Sequence, residues 1–389
     1  QILRFCNIAF FSLILSLNCL PFAAEWSIIN EYLSSNFNKN YPALRFNLCM
    51  MRKRGADNGR EVRKMKTALI ILAVVLGVFI LLLFLICGFI FNQIIWYKQM
   101  PLPKFIGKLV AGNEAPQSDF DRDRDAALKA FADFPIEKLS LTASNGETLR
   151  GSVIIPPVSN GRLLIACHGA HSSGVGEFCF DMPYFYREGY TVLMPEHRGC
   201  GESDGKFLGY GTHESADTLL WLDYARKRFP NLNVYLHGVS MGGATVLMMS
   251  DKVSDPAVKG IIADCSYTSA WDEFSYQLKT SFHLPDFPVL HTCDLICRLI
   301  CGYDFRDASP LRAVSNSKLP VLFIHGAADD FVPQFMQDEL YAACPTRKEK
   351  LTVAGAVHAR SYYTDPKAYE AAIERFVAEC ENDRIIQTS

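Results

Sequence analysis

The chain of 389 residues lacks an excess of charge of either sign. Its 39 Lys and Arg stand against 41 Asp and Glu, a formal net charge of −2. That balance offers no basic surface to a polyanion. The aromatic residues are scattered and never interleave with basic ones as a single-stranded nucleic-acid groove requires. Nucleic acid is therefore not expected as a partner. CxxC spacing is also missing among the thirteen cysteines, which argues against a zinc knuckle or a thioredoxin-like redox pair. Cys6, Cys19, Cys49 and Cys87 precede the main domain and leave nine within it, so at least one has no partner in a monomer. Cys293, Cys297 and Cys301 recur every four residues, which stacks them on one face of a helix. Three thiols on an apolar helix face is the plain reading. No internal repeat is visible.

The longest absence is of charge itself. From Thr67 to Tyr97 there is no charged residue, and Ala68 to Phe91 is almost wholly apolar. A helix over that run rises by about 36 Å, enough to cross a hydrocarbon core of about 30 Å. Arg52, Lys53, Arg54, Arg60, Arg63, Lys64 and Lys66 precede it, against Asp57 and Glu61. That bias holds the N-terminal side in the cytoplasm and sends everything after about Lys98 outward. A single-pass anchor in the cell membrane is expected, with the large domain on the extracytoplasmic side. Trp96 and Tyr97 are expected at headgroup level. A cleaved signal peptide fits less well, because the apolar core is long and no small-x-small cleavage pattern follows near Asn92 to Lys98. Phe5 to Ala24 is a second apolar run, broken by Asn7, Asn18 and Pro21. Met50, Met51 and Met65 lie just ahead of the strong span, so residues 1–49 read either as a signal-like or spanning segment or as translated upstream sequence.

The expected organisation is an N-terminal segment at 1–66, an anchor at 67–97, a Pro- and Gly-containing linker at 98–118 and a domain at 119–389. Asp119 to Asp133 has helical periodicity. Glu137 to Thr142 and Thr148 to Ile155 read as strands joined by a turn at Ser144-Asn145-Gly146. Short apolar strands then recur at Arg162 to Cys167, Thr191 to Met194, Val234 to Leu236, Gly260 to Ala263, Pro320 to Ile324 and Lys350 to Val353. Helical stretches fall between them at Phe180 to Arg187, Gly211 to Arg228, Gly242 to Ser250 and Gln334 to Ala343, and Pro366 to Cys380 closes the pattern. This alternation predicts an α/β fold: a mostly parallel eight-stranded sheet with helices on both faces. Trp271 to Asp307 is too long for an ordinary crossover, and reads as a cap insertion at about 271–307.

Gly238-Val239-Ser240-Met241-Gly242 follows a strand and opens a small-residue helix. In such a GxSxG turn the serine sits in strained backbone, and its hydroxyl is exposed beside a helix N-terminus. Ser240 is the candidate nucleophile. A serine hydroxyl needs a base, and His358, just after the last strand, is the best placed. His168 and His325 also end strands, but their adjacent glycines suggest loop-shaping roles. A carboxylate should orient the imidazole. Spacing favours Asp329 and leaves Asp330 and Asp264 as rivals. The backbone N–H groups of Met241 and Ala170 are the expected oxyanion donors.

These motifs resemble the α/β-hydrolase superfamily from about Ile136 to Val377. The ordered set is His168-Gly169, Pro195-Glu196-His197-Arg198-Gly199-Cys200-Gly201-Glu202-Ser203-Asp204-Gly205, the Ser240 turn, Asp264-Cys265-Ser266, His325-Gly326-x-x-Asp329-x-x-Val332-Pro333, and His358. It is most similar to a bacterial group of N-terminally anchored serine hydrolases related to serine aminopeptidase-like and monoacylglycerol lipase-like enzymes. The resemblance implies that Asp329 is the acid and that the Arg198 to Ser203 loop is structural. It implies hydrolysis of an ester, amide or thioester, and the motifs do not choose among them; an ester is the expectation, with a serine peptidase or amidase as the alternative. The expected substrate is a small acyl compound, a lipid or a peptide. No cofactor is expected, since acyl transfer through serine needs neither metal nor nucleotide. A non-catalytic binding domain on the same fold is the contrasting alternative.

Overall fold

The structure is a computed structural model that describes residues 42–96 and 118–387. The run Phe5 to Ala24, Tyr97 and almost all of the expected linker lie outside the described residues. Contacts divide the chain into two compact units, one ending at Phe79 and one beginning at Ile80.

Helix α1, Pro42–Ile94, runs through the apolar stretch and extends well ahead of it. Among the described residues it is the one helix long and apolar enough to cross a membrane. Its side chains from Leu69 to Ile86 are mostly exposed, but Cys87, Phe91 and Ile95 are buried. The apolar run thus has two environments, and Ala68 to Ile86 still spans about 28 Å. Trp96, expected at headgroup level, packs edge-on against Phe207 with ring centroids 5.4 Å apart.

Helix α2, Asp119–Phe131, begins at a capping box in which the Ser118 hydroxyl accepts from the Asp121 N–H. Strands β1 (Ile136–Thr142) and β2 (Thr148–Ile154) pair antiparallel across the expected turn. Then follow β3 (Arg162–Cys167), the short α3 (Gly174–Glu177), α4 (Met182–Arg187), β4 (Thr191–Pro195), α5 (Thr212–Arg228), β5 (Asn233–Val239) and α6 (Met241–Leu247). After β6 (Val258–Asp264) come α7 (Ala270–Thr280), α8 (Val289–Cys301) and α9 (Pro310–Val314). The chain ends with β7 (Val321–Gly326), α10 (Gln334–Ala343), β8 (Lys348–Val353), α11 (Ser361–Thr364) and α12 (Pro366–Gln387).

The eight strands form one sheet in the order β1-β2-β4-β3-β5-β6-β7-β8, parallel from β4 to β8. Alternate residues of the central strands feed opposite faces, as a pleat requires. Leu164, Tyr235, Ile262 and Leu322 pack with Tyr369 and Phe376 of α12, whereas Ile165, Leu236, Ile261 and Phe323 pack with Trp221 of α5 and Leu340 of α10. Burial on both faces explains why these strands read as unbroken apolar runs. Each fully buried aliphatic side chain contributes about 1.5–3 kcal/mol.

Between β6 and β7, the segment expected as a cap insertion forms α7 and α8. Ser269 caps α7 by accepting the Asp272 N–H at 3.0 Å. Cys293 and Cys297 lie buried on one face of α8, and the ten cysteines with described side chains are free thiols.

Candidate active site

The parallel strands bring the loops after β3, β5, β7 and β8 to one carboxyl edge, where open α/β sheets build their sites. Ser240 sits between β5 and α6 with φ 55° and ψ −117°, a conformation rare for a residue with a side chain. The turn is pinned on both sides. Ser240 N–H donates to the Asp264 carbonyl at 2.8 Å, and Ala244 N–H donates to the Ser240 carbonyl at 2.9 Å. A side chain at either glycine of the motif would collide with backbone, at Gly238 with the Gly242 carbonyl and at Gly242 with the Cys167 carbonyl.

His358, in the loop after β8, reaches back to the serine. Its Nε2 lies 3.0 Å from Ser240 Oγ, and its Nδ1 lies 2.8 Å from Asp329 Oδ2. The other Asp329 oxygen accepts the N–H groups of Phe331 at 3.0 Å and Val332 at 2.9 Å. Those bonds lock the buried carboxylate, and the Phe331 ring covers the imidazole at 4.9 Å. The two rival carboxylates lie elsewhere. Asp330 is exposed, and Asp264 accepts the Ser361 hydroxyl at 2.9 Å while burial pushes its carboxyl up to about 7. His168 and His325 are tied into loops. His168 Nδ1 donates to the Gly169 carbonyl at 2.7 Å, and His325 Nε2 donates to the Val332 carbonyl at 2.7 Å. Burial lowers both imidazoles, His168 to about 4.

Met241, the first residue of α6, and Ala170, after β3, line the same cavity as Ser240 and His358. The Ala170 loop is held by Glu177, whose carboxylate accepts the Gly169 N–H at 3.0 Å. Burial raises the Glu177 carboxyl, against that hydrogen bond. The Arg198 loop is structural: its guanidinium grips Asp217 at 2.7 and 3.0 Å, and Ser203 ties it to β2 by accepting the Arg150 N–H at 2.7 Å. Cys265, Asp329 and His358 place potential metal-ligating atoms within 4.8 Å of one another. Asp329 and His358 already bond each other, and burial holds the Cys265 thiol well above its ordinary value, so this trio is a poor metal site.

The cavity of about 590 Å³ is lined mostly by apolar side chains, with two carboxylates, Glu177 and Glu273 of α7, among the polar exceptions. Glu273 was not singled out by its sequence context, and nothing in that context marks it. Both of its carboxylate oxygens are buried without a hydrogen-bond partner among the described residues. Burial pushes the carboxyl up to about 8. The unfolded chain releases this proton near the ordinary value of about 4.3. Between those values the folded state binds more protons, so stability falls as pH rises and the full penalty is reached above about 8. Glu196 and Asp264, both pushed up to about 7, act in the same direction. Glu273→Gln removes one such penalty. It should raise the melting temperature by about 3 °C or more at pH 8.5 and by much less at pH 5. An increment equal at both values would contradict the buried-proton account.

Comparison with known proteins agrees with this architecture. Residues 162–284 match the alpha/beta hydrolase fold family. An esterase from Pyrococcus furiosus superposes with a TM-score of 0.52 at 20% identity, covering 69% of this chain and 95% of that one. The chain has the α/β-hydrolase fold. Among its relatives, the chain is 27% identical to the uncharacterised protein YqkD of Bacillus subtilis, over 66% of this chain and 85% of YqkD. It is 28% identical to the uncharacterised membrane protein YNL320W of Saccharomyces cerevisiae, over 56% of this chain and 71% of the yeast protein. The fold supports hydrolytic activity.

Proposed function

We propose that the protein is a serine esterase acting through Ser240, His358 and Asp329 by way of an acyl-enzyme. The observation that carries this reading is the continuous hydrogen-bonded line from Ser240 Oγ through both nitrogens of His358 to a locked, buried Asp329. His358 accepts the hydroxyl proton as Ser240 attacks the ester carbonyl, and Asp329 steadies the imidazolium. The N–H groups of Met241 and Ala170 stabilise the oxyanion, each contributing about 3 kcal/mol if the donors are well aimed. His358 then protonates the leaving alcohol, and water releases the acid by the reverse route. The apolar cavity beside Ser240 supports an acyl substrate over a charged peptide.

The assignment extends to the whole chain. Residues 119–389 act as the hydrolase domain, with α7 and α8 as its cap. Helix α1 anchors it in the cell membrane with the domain on the extracytoplasmic side. The basic stretch before the span supports that side, and the yeast relative named as a membrane protein supports a membrane anchor.

A fluorophosphonate probe should label the protein on Ser240, and Ser240→Ala should abolish both labelling and hydrolysis of p-nitrophenyl esters. A folded protein that resists the probe would leave the fold as a binding scaffold. Faster cleavage of aminoacyl amides than of esters would make it a peptidase.

A further inference from the structure

One wall of the cavity comes from outside the sheet and its crossovers. Within the unit that begins at Ile80, the last turns of α1 bring Ile90, Phe91 and Ile94 to the cavity that Ser240, Met241 and His358 also line. These turns are built in. Cys87 is 0%, Phe91 4% and Ile95 1% exposed. A helix end leaves carbonyls without intrahelical partners, and here the hydrolase domain supplies them. The Ile94 carbonyl accepts from His171 Nε2 at 2.8 Å and from the Tyr210 hydroxyl at 3.2 Å, and the Ile95 carbonyl accepts the Leu208 N–H at 2.8 Å. His171 adjoins Ala170, so the end of the helix also steadies the loop that carries an oxyanion donor.

The other side of the argument is what this wall leads to. Immediately before the buried turns, Leu81, Leu82, Leu85 and Ile86 of the same helix are exposed. At the cavity, Phe282 and Phe331 line the interior yet stay 67% and 50% exposed, and Phe287 nearby in the chain is 71% exposed. Large apolar side chains left open around a pocket mark a surface that something apolar covers. Continuity with a helix able to cross a bilayer identifies that cover as lipid.

We propose that the substrate is an acyl ester resident in the bilayer, whose chain enters along α1 and lies against Ile90, Phe91 and Ile94 with its carbonyl at Ser240. This rests on the hydrolase reading of Ser240 and on α1 as the anchor. The anchor is then part of the substrate site as well as a tether. A cavity of about 590 Å³ matches the size range of pockets that enclose one small organic ligand.

The test uses the full chain in phosphatidylcholine vesicles and in detergent micelles. In micelles, the dodecanoate-to-acetate ratio of kcat/KM for p-nitrophenyl esters should fall by about tenfold or more in Ile90→Trp, because the new ring occupies the chain's path. Ile90→Ala, which needs no extra room, should move the preferred chain length upward. Ratios unchanged in both variants, with Ser240 still labelled by fluorophosphonate, would overturn the acyl-wall assignment and leave the hydrolase reading intact. Loss of labelling in the parent would overturn both. In vesicles, a fluorogenic dodecanoyl glycerolipid in the same bilayer as the protein should be hydrolysed far faster than the same lipid held in separate vesicles. Equal rates would show delivery through water and overturn the bilayer route.

Discussion

Replacing His358 by alanine should lower ester turnover by roughly 10⁴- to 10⁶-fold while the protein stays folded. The size follows from the chemistry: a serine hydroxyl does not attack a carbonyl at useful rates until its proton is taken. No neighbour can take over the role. His325 is the nearest alternative in type, with its Nε2 3.5 Å from Asp329 Oδ2, but it is buried and committed to the Val332 carbonyl. The imidazole of His358 is partly exposed on its loop, so its removal opens no core cavity. Asp329→Asn should cost about 10⁴-fold, because an amide in place of the carboxylate no longer holds the productive tautomer. The double variant should be little worse than His358→Ala, since the groups act as one unit. Rates from samples titrated for folded protein check this. A His358→Ala rate within tenfold of the parent would remove His358 from the mechanism.

The sheet was legible because period and burial agree. Strands buried on both faces read as short apolar runs between polar helices, and each of the eight falls within a few residues of its expected place. Where edges differ, the motif obscured the strand: β5 continues through His237 and Gly238 to Val239, residues more readily read as the approach to the serine. Helices α7 and α8 were harder, since their apolar residues face both a protein interior and open surface. The Ser269-x-x-Asp272 start of α7 is the capping signal that would have found the first of them. Asp329 and Asp330 illustrate a different limit. Adjacent in sequence, they differ in whether backbone N–H groups converge on the carboxylate, and spacing carries no record of that. Spacing only favoured Asp329, and the resemblance strengthened that choice. Apolar runs have the same limit: Leu85 and Phe91 are equivalent to a hydropathy scale, yet one is exposed and the other walls the cavity.

The second large effect concerns folding, and it isolates why the Ser240 turn needs glycine. Gly242→Ala should yield little or no folded protein. Its new methyl would overlap the carbonyl of Cys167 and approach the His168 carbonyl to 2.8 Å. Both obstacles are backbone, so no rotamer change relieves them. Nor can the strand retreat, because Cys167 is buried on β3 and paired in register with Gly238 on β5. Moving α6 away is equally blocked, since every residue of that helix is buried. A clash of this kind is expected to exceed about 4 kcal/mol, a large share of the 5–15 kcal/mol that holds a typical domain together. The control is Gly302→Ala, at φ 78° after α8 with nothing near its missing side chain. That change meets only backbone strain and should cost about 1 kcal/mol. Melting temperatures and soluble yield of the two variants separate the causes. If Gly242→Ala melts within a few degrees of Gly302→Ala, close backbone approach does not shape this turn. The strained φ of Ser240 would then need another origin.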